Sequence, residues 1–518
     1  MACRLCRKPC RSALLIMLNT SPETDQRSAR ICTGISGLDE ILGGGLTSQR
    51  VYLLEGNPGA GKTTLALQFL LEGAKCGRRG LYITLSETAN ELRAVAASHG
   101  WSLDQIDLFE LVSGAGLGID AEQSILYPSE FELGETTKGV MSRVDAIKPE
   151  LVVFDSLSEM RLLAQNPLRY RRQILALKHF FSSRNCTVIL LDDRTSEAGD
   201  LQLYSISHGV ISLEHTPREY GEDRRRLRVT KMRGIRFSGG YHDFNLDTGG
   251  LKVFPRVVAG DEVRDYVTST TSSGSAELDE MLGGGLVPGT STLLIGPSGV
   301  GKTTTAVRCV LSAIERGQRT AFFLFDEGLH TMLARAATLG MDLRPALDAG
   351  SLQIFPIDPA QMSPGEFAHR VRKAVESEQA SFVVVDSINA YLQAMPDEKF
   401  LMLQMHELLS YLSRHGVTTI LVLAQHGLIG EVQTTVDLSY LSDAILMFRY
   451  FEAKGSVRSA ISVVKSRATN HERTIREFRV AEGGIQVGPA LADFEGVLSG
   501  LPTYRGATPL LQPLTATP

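Results

Sequence analysis

The stretch "GNPGAGKTTL" begins at Gly56, and "GPSGVGKTTT" begins at Gly296, 240 residues further on. Both fit G-x4-G-K-[ST], a pattern whose glycines let successive backbone N–H groups turn toward phosphate. The first loop comprises Gly56, Asn57, Pro58, Gly59, Ala60, Gly61, Lys62, Thr63 and Thr64. The second comprises Gly296, Pro297, Ser298, Gly299, Val300, Gly301, Lys302, Thr303 and Thr304. In each, the lysine is expected to reach the outer phosphates of a nucleotide, and Thr63 or Thr303 to offer a hydroxyl to Mg2+. Such a loop carries meaning only between a strand and a helix. "RVYLLEG" and "STLLIGP" supply apolar strands before the loops, and largely apolar helices follow them.

The duplication extends well beyond the loops. "GISGLDEILGGGL" from Gly34 recurs as "GSAELDEMLGGGL" from Gly274, each a short helix ending on three glycines. "RGLYITLSE" and "RTAFFLFDE" are second strands ending on acids, and "PELVVFDS" and "SFVVVDS" are third strands ending on Asp-Ser. "SPGEFAHRVRKAV" has a helix start, with Ser363 at the cap, Pro364 in the first turn and Glu366 three residues on. Its Phe367, Val371 and Val375 recur every four residues and are expected to face a sheet. Alternating strands and helices make this an α/β chain, with one mainly parallel sheet covered by helices in each half. The expected domains are 30–255 and 271–490, joined by a Ser/Thr-rich linker at 256–270. Residues 1–29 are expected to be disordered, and 491–518 to form a flexible Pro/Thr-rich tail.

A chain of 518 residues has room for two large cores, and 43% hydrophobic with 21% charged residues suits a soluble globular protein. The net charge of -5 gives no global attraction to a polyanion. Seven cysteines do not form a disulfide framework: Cys3, Cys6 and Cys10 crowd one end without a fourth nearby ligand, and the others are scattered. The apolar run Ala13 to Leu18 is too short to span a bilayer, so a cytoplasmic location is expected by default.

Asp155 and Asp386 end runs of branched apolar residues, which places each carboxylate at the sheet edge where it can join a magnesium shell. Asp-Ser also caps helices well, so capping is the competing role. Hydrolysis needs a group that orients or deprotonates water, and Glu87 and Glu327 are the candidates. Ser86 precedes the first and Asp326 the second, so the second site is expected to hold a carboxylate pair and the first is not. Lys231 with Arg233, and Lys465 with Arg467, form K-x-R pairs near the ends of the halves. On one strand both cations of a pair project from one face, ready to clamp phosphate in their own domain or across an interface.

Together these residues resemble the KaiC-type tandem ATPases, within the wider RecA/RadA/DnaB class of ring-forming ATPases. The resemblance covers about 30–490 and implies two tandem RecA-like P-loop domains in a hexameric double ring. It further implies ATP and Mg2+ at subunit interfaces, with the K-x-R pairs reaching a neighbour's nucleotide, and regulatory partner proteins. In that family the second domain also acts as a serine/threonine autokinase within a circadian clock. The segment "VDLSYLSDAI" is similar to the acceptor region, with Ser439 matching the serine and Tyr440 standing where a threonine would be. Ser86 replaces the family's first glutamate, so first-site hydrolysis would rest on Glu87 alone or be slowed.

The alternative is a RecA-like DNA-dependent ATPase, which needs basic loops facing the ring channel. The stretches "DDRTSEAGDLQLYS" and "AQHGLIGEVQTTVDLS" hold more acids than bases, and Arg224–Arg226 is the best contrary feature. Nucleic acid is therefore not the expected partner.

Overall fold

The computed structural model describes residues 29–111, 128–164, 166–193, 201–258, 269–393, 400–425, 440–453, 455–498 and 503–504. Within them lie two nine-stranded sheets, one per half of the chain. In the first, the strand Val51–Gly56 is central and runs parallel to Thr187–Asp193 on one side and Gly209–Thr216 on the other. Leu151–Asp155, Gly80–Thr84 and Ile106–Glu110 continue the parallel set. Arg224–Met232, Tyr241–Asp247 and Gly250–Phe254 close the opposite edge in antiparallel pairing. The second sheet repeats this plan around Ser291–Pro297. All residues of Val51–Gly56 and Ser291–Pro297 are buried, as expected of parallel strands covered on both faces.

Each central strand turns through a glycine loop into a helix, Lys62–Lys75 or Lys302–Glu315. Gly61 and Gly301 adopt φ of 97° and 109° at the start of these helices, a left-handed geometry that costs a side-chain-bearing residue dearly. The triple glycines also have a steric role: a Cβ on Gly45 would lie 2.2 Å from the carbonyl oxygen of Ile31. Ser363 caps the helix Pro364–Glu376 as its sequence anticipates, and Phe367, Val371 and Val375 are buried.

That helix also joins the two halves. Asp243 Oδ2 accepts from Gly365 N–H at 2.7 Å and from Arg224 at 3.0 Å. Asn245 donates to Glu366 at 2.8 Å, and Arg372 donates to Glu40 at 2.6 Å. Glu366 thus turns toward the first domain and Arg370 instead of closing a capping box. Val257, inside the segment expected as linker, is buried with the second domain's apolar residues. At the far end, Leu491 and Val497 pack with Phe451, and Phe494–Glu495 pairs with Thr503–Tyr504, so the tail begins with ordered residues. The Arg224–Arg226 cluster starts a strand: Arg224 is buried on Asp243, and Arg226 pairs with Glu214 at 3.5 Å. Cys3, Cys6, Cys10 and Ser439 lie outside the described residues. No helix among the described residues is long and apolar enough to cross a membrane.

Candidate active sites

The two phosphate loops present the same skeleton. Lys62 Nζ donates to the carbonyls of Gly56 at 2.8 Å and Asn57 at 3.1 Å. Lys302 Nζ donates to Gly296 at 2.8 Å and Pro297 at 2.6 Å. Both lysines are buried, while Asn57, Pro58, Gly59, Ser298 and Gly299 form the outer turns, with Ala60 and Val300 packed beneath. The backbone N–H groups at the helix starts complete an anion cradle.

Asp155 and Asp386 sit where strand and loop converge, each joined to the following serine by a cis peptide bond. In the first site Tyr82 Oη donates to Asp155 Oδ2 at 2.5 Å, and Thr63 hydrogen-bonds Tyr82. In the second site Phe322 stands in the equivalent strand, and the Thr303 hydroxyl bonds Asp386 itself. Burial pushes the Asp386 carboxyl up to about 6; the Thr303 hydrogen bond opposes this, the Asp326 charge adds to it, and Lys302 opposes it. Burial likewise raises Asp155, again against a hydrogen bond, here from Tyr82. A divalent cation would stabilise the charged form of either carboxylate, and hydroxyl with carboxylate oxygens is the donor chemistry Mg2+ takes. The residues therefore fit that ion at both sites. The helices after the cis peptides start at Leu157 and Ile388, with Ser156 and Ser387 turned to other partners.

The acidic candidates lie beyond the strands, which end at Thr84 and Leu324. Glu87, Asp326 and Glu327 occupy the turns that follow, where the chain leaves the sheet and its side chains gain reach. Glu87 is half-buried; burial, then the charges of Asp155, Glu91 and Asp193, raise its carboxyl, against the pull of Lys62. Ser387 donates a short hydrogen bond to Asp326. Arg335 pairs with Glu327 at 2.8 Å. Lys302, Thr303, Asp326, Glu327, Arg335 and Asp386 all line one cavity of about 520 Å3. Burial lowers Lys302 to about 8 there, against the opposing pull of Asp386 and then Asp326.

The first site departs from expectation, because a second carboxylate enters from a different strand. Asp193, at the end of Thr187–Asp193, forms an ion pair of 2.6 Å with Lys62. Its Oδ2 accepts from Ser158 at 3.1 Å, and Ser158 in turn contacts Ser156 at 2.9 Å. The sequence signal was the apolar run "TVILLDD", a further strand ending on acids. Arg335 carries no sequence mark beyond residue type, and Tyr82 lies in the repeated second strand with Phe322 at the matching place in the other copy.

The K-x-R pairs take a modified form. Lys231 and Lys465 lie near the ends of strands that stop at Met232 and Ser466, and Arg233 and Arg467 lie just past them. Lys231 donates to the carbonyls of Tyr204 and Ser207, and Arg233 to that of Ser205 at 2.7 Å. Lys465 donates to Ser442 at 2.7 Å and Arg467 to Tyr440 at 3.1 Å. A register shift precedes each lysine on its own strand, with Thr230 and Val464 as the extra residues. Lys465 and Arg467 are not among the described residues that line the second-site cavity. Tyr440 is 56% exposed beside them.

The family model described as "ATPase: KaiC" matches residues 31–258 and again 271–492. The circadian clock oscillator protein KaiC of Picosynechococcus sp. is 27% identical over 485 residues, covering 92% of each chain. That of Rippkaea orientalis is 27% identical over 499 residues, covering 94% of each. The circadian clock protein KaiC3 of Synechocystis sp. is 26% identical over 481 residues, covering 91% of this chain and 94% of its own. Two matched loops, two parallel sheets and a family match that falls once on each half lead to one conclusion: the chain belongs to the KaiC family of ATPases.

Proposed function

We propose that this chain hydrolyses ATP at both phosphate loops and uses the second one also as a serine/threonine autokinase, within a signalling or circadian-type timing assembly. The observation that carries the kinase assignment is the second-site cavity, where Lys302, Asp326, Glu327 and Ser387 converge on one space. Lys302 would hold the outer phosphates, and Thr303 with Asp386 would hold Mg2+. The ion, when bound, offsets charge on the phosphates.

In hydrolysis, Glu327 orients water and accepts its proton as the water oxygen bonds to the γ-phosphorus and the bond to ADP breaks. In phosphoryl transfer, a protein hydroxyl replaces the water, and Asp326 or Glu327 takes its proton. Ser439 is the proposed acceptor, by its likeness to the family serine. At the first site Glu87 acts on water, Thr63 and Asp155 would hold the metal, and slow hydrolysis there supports assembly. The names of the relatives support a role in a circadian clock, and the proposed assembly is the homo-hexamer that the resemblance implies, acting with regulatory proteins. In such a ring Lys231, Arg233, Lys465 and Arg467 would leave their carbonyl partners to reach a neighbour's nucleotide. The domains proposed are 30–255 and 271–490.

The test is incubation with γ-labelled ATP and Mg2+ followed by mass-spectrometric mapping. Label on Ser439 that disappears in Ser439→Ala and in Glu327→Gln supports the reading. A second domain that hydrolyses ATP yet takes no label removes the kinase half.

A further inference from the structure

Asp193 and Ala424 hold matching places in the two sites. The strand Thr187–Asp193 pairs with Val51–Gly56 so that Asp193 lies opposite Gly56, and Thr418–Gln425 pairs with Ser291–Pro297 so that Ala424 lies opposite Gly296. The residue two places after the cis-linked serine fastens the end of that strand in both halves. Ser158 Oγ accepts from Asp193 N–H at 3.3 Å, while Asn389 bonds both the N–H and the carbonyl of Ala424. One framework is thus built twice, and a carboxylate stands at this place in the first copy alone.

That carboxylate lies 2.6 Å from Lys62, with the lysine side chain 9% exposed and Asp193 30% exposed. A nucleotide's outer phosphates need the same ammonium. We infer that Asp193 is a positioning residue of the first site: it neutralises and holds Lys62 when phosphate is absent, and nucleotide binding hands Lys62 from Asp193 to phosphate. Ser158, which donates to Asp193 Oδ2 at 3.1 Å, keeps the carboxylate hydrogen-bonded after the exchange. The first site therefore binds nucleotide against an anion paired directly with its lysine, and at the second Ala424 stands where that carboxylate would be. This inference rests on the reading of the first loop as a nucleotide site.

The consequence is a built-in difference in affinity between two loops of the same pattern. Asp193 tethers the lysine at an effective concentration no dissolved anion reaches, so each binding event must break one charge-assisted contact before making another. The charge also stays near the phosphates after the exchange and repels them.

The experiment uses the full-length chain carrying Lys302→Ala, so that binding and turnover report on the first site. Calorimetric titration with Mg-ADP and Mg-ATP is compared with and without Asp193→Asn. Removing the charge is expected to tighten both nucleotides about tenfold and to lower KM for ATP more than it changes kcat. Asp193→Glu, which keeps the charge, is expected to restore most of the weaker affinity. A folded Asp193→Asn protein with unchanged or weaker affinity overturns the inference. Should Asp193→Asn fail to fold, Ser158→Ala decides: losing the hydroxyl that shares the Asp193 carboxylate leaves that charge more fully to Lys62 and should weaken binding several-fold, and unchanged affinity overturns the inference. A Lys302→Ala chain that binds no nucleotide at all would overturn the nucleotide reading itself, an outcome distinct from normal binding that ignores Asp193.

Discussion

The guanidinium of Arg335 stands 2.8 Å from the carboxylate of Glu327, and both line the second-site cavity. In the first half the corresponding helix, Ala89–Ser98, offers Val95 at that place, and Glu87 faces carboxylates and Lys62 instead. The two water-activating candidates thus work in opposite electrostatic settings, although the loops beside them share one pattern.

Freeing Glu327 should speed its reaction. With the first site silenced by Lys62→Ala, Arg335→Met is expected to raise steady-state ATP turnover about threefold, the equivalent of losing part of a charge-assisted hydrogen bond that occupies the base. A fall in turnover with unchanged ATP affinity would show that Arg335 serves catalysis directly.

The two glutamates should be separable. Glu87→Gln in a Lys302→Ala chain, and Glu327→Gln in a Lys62→Ala chain, are each expected to lower turnover about a hundredfold while nucleotide affinity changes little. Single-turnover hydrolysis with trace ATP checks this, and retained rates in either variant would reassign the base.

Removal of Mg2+ by a chelator should abolish hydrolysis at both sites. Asp386→Asn is then expected to raise the magnesium concentration needed for half-maximal turnover at the second site about tenfold, because one hard anionic ligand is lost. An unchanged magnesium dependence would place the ion elsewhere.

The domain joint gives a stability prediction. Asp243 serves the buried Arg224 and the first turn of Pro364–Glu376 together, so Asp243→Ala removes a buried ion pair and the acceptor of the Gly365 N–H. The cost should be about 3 kcal/mol, as for other broken buried pairs. Scanning calorimetry should then show Tm lower by roughly 6–10 °C. A shift under about 2 °C would mean that the halves do not depend on this joint.

His208 gives a pH signature. Its Nδ1 accepts from Val51 N–H at 3.1 Å, and burial, followed by the charges of Lys178 and Arg50, pushes the imidazole from 6.5 down to about 4. Between these values the unfolded chain binds the extra proton, so the His208 contribution is lost as pH falls from about 6.5 to about 4. His208→Gln keeps an acceptor that cannot titrate and should flatten that decline by on the order of 1 kcal/mol, a figure reduced for the partial solvent contact of the ring. Denaturant titrations at pH 7 and pH 5 measure the difference, and parallel losses in both proteins would discard the assignment.

Much of the architecture was legible because it is encoded locally. The glycine loops, the apolar strands before them and the cap at Ser363 each depend on neighbours a few residues away. The repeat then doubled every signal. The candidates Lys62, Thr63, Asp155 and Glu87 lie at strand ends and turns of the first sheet, and their second-half partners at the matching places of the second. The stretch of helix at Glu366 was legible as a helix start, but its carboxylate answers to Asn245 of the other domain, a contact that sequence proximity does not announce.

The sequence by itself determined two α/β halves, two phosphate loops and the acids ranged beside them, since backbone preference and apolar periodicity act over short stretches of chain. Only the tertiary structure decided which charges meet. Asp193 reaches Lys62 because the strand order sets Thr187–Asp193 beside Val51–Gly56, and Arg335 reaches Glu327 because one helix packs over one turn. Coulomb and hydrogen-bond energies depend on distance in space, and the sheet brings together residues that the chain keeps far apart.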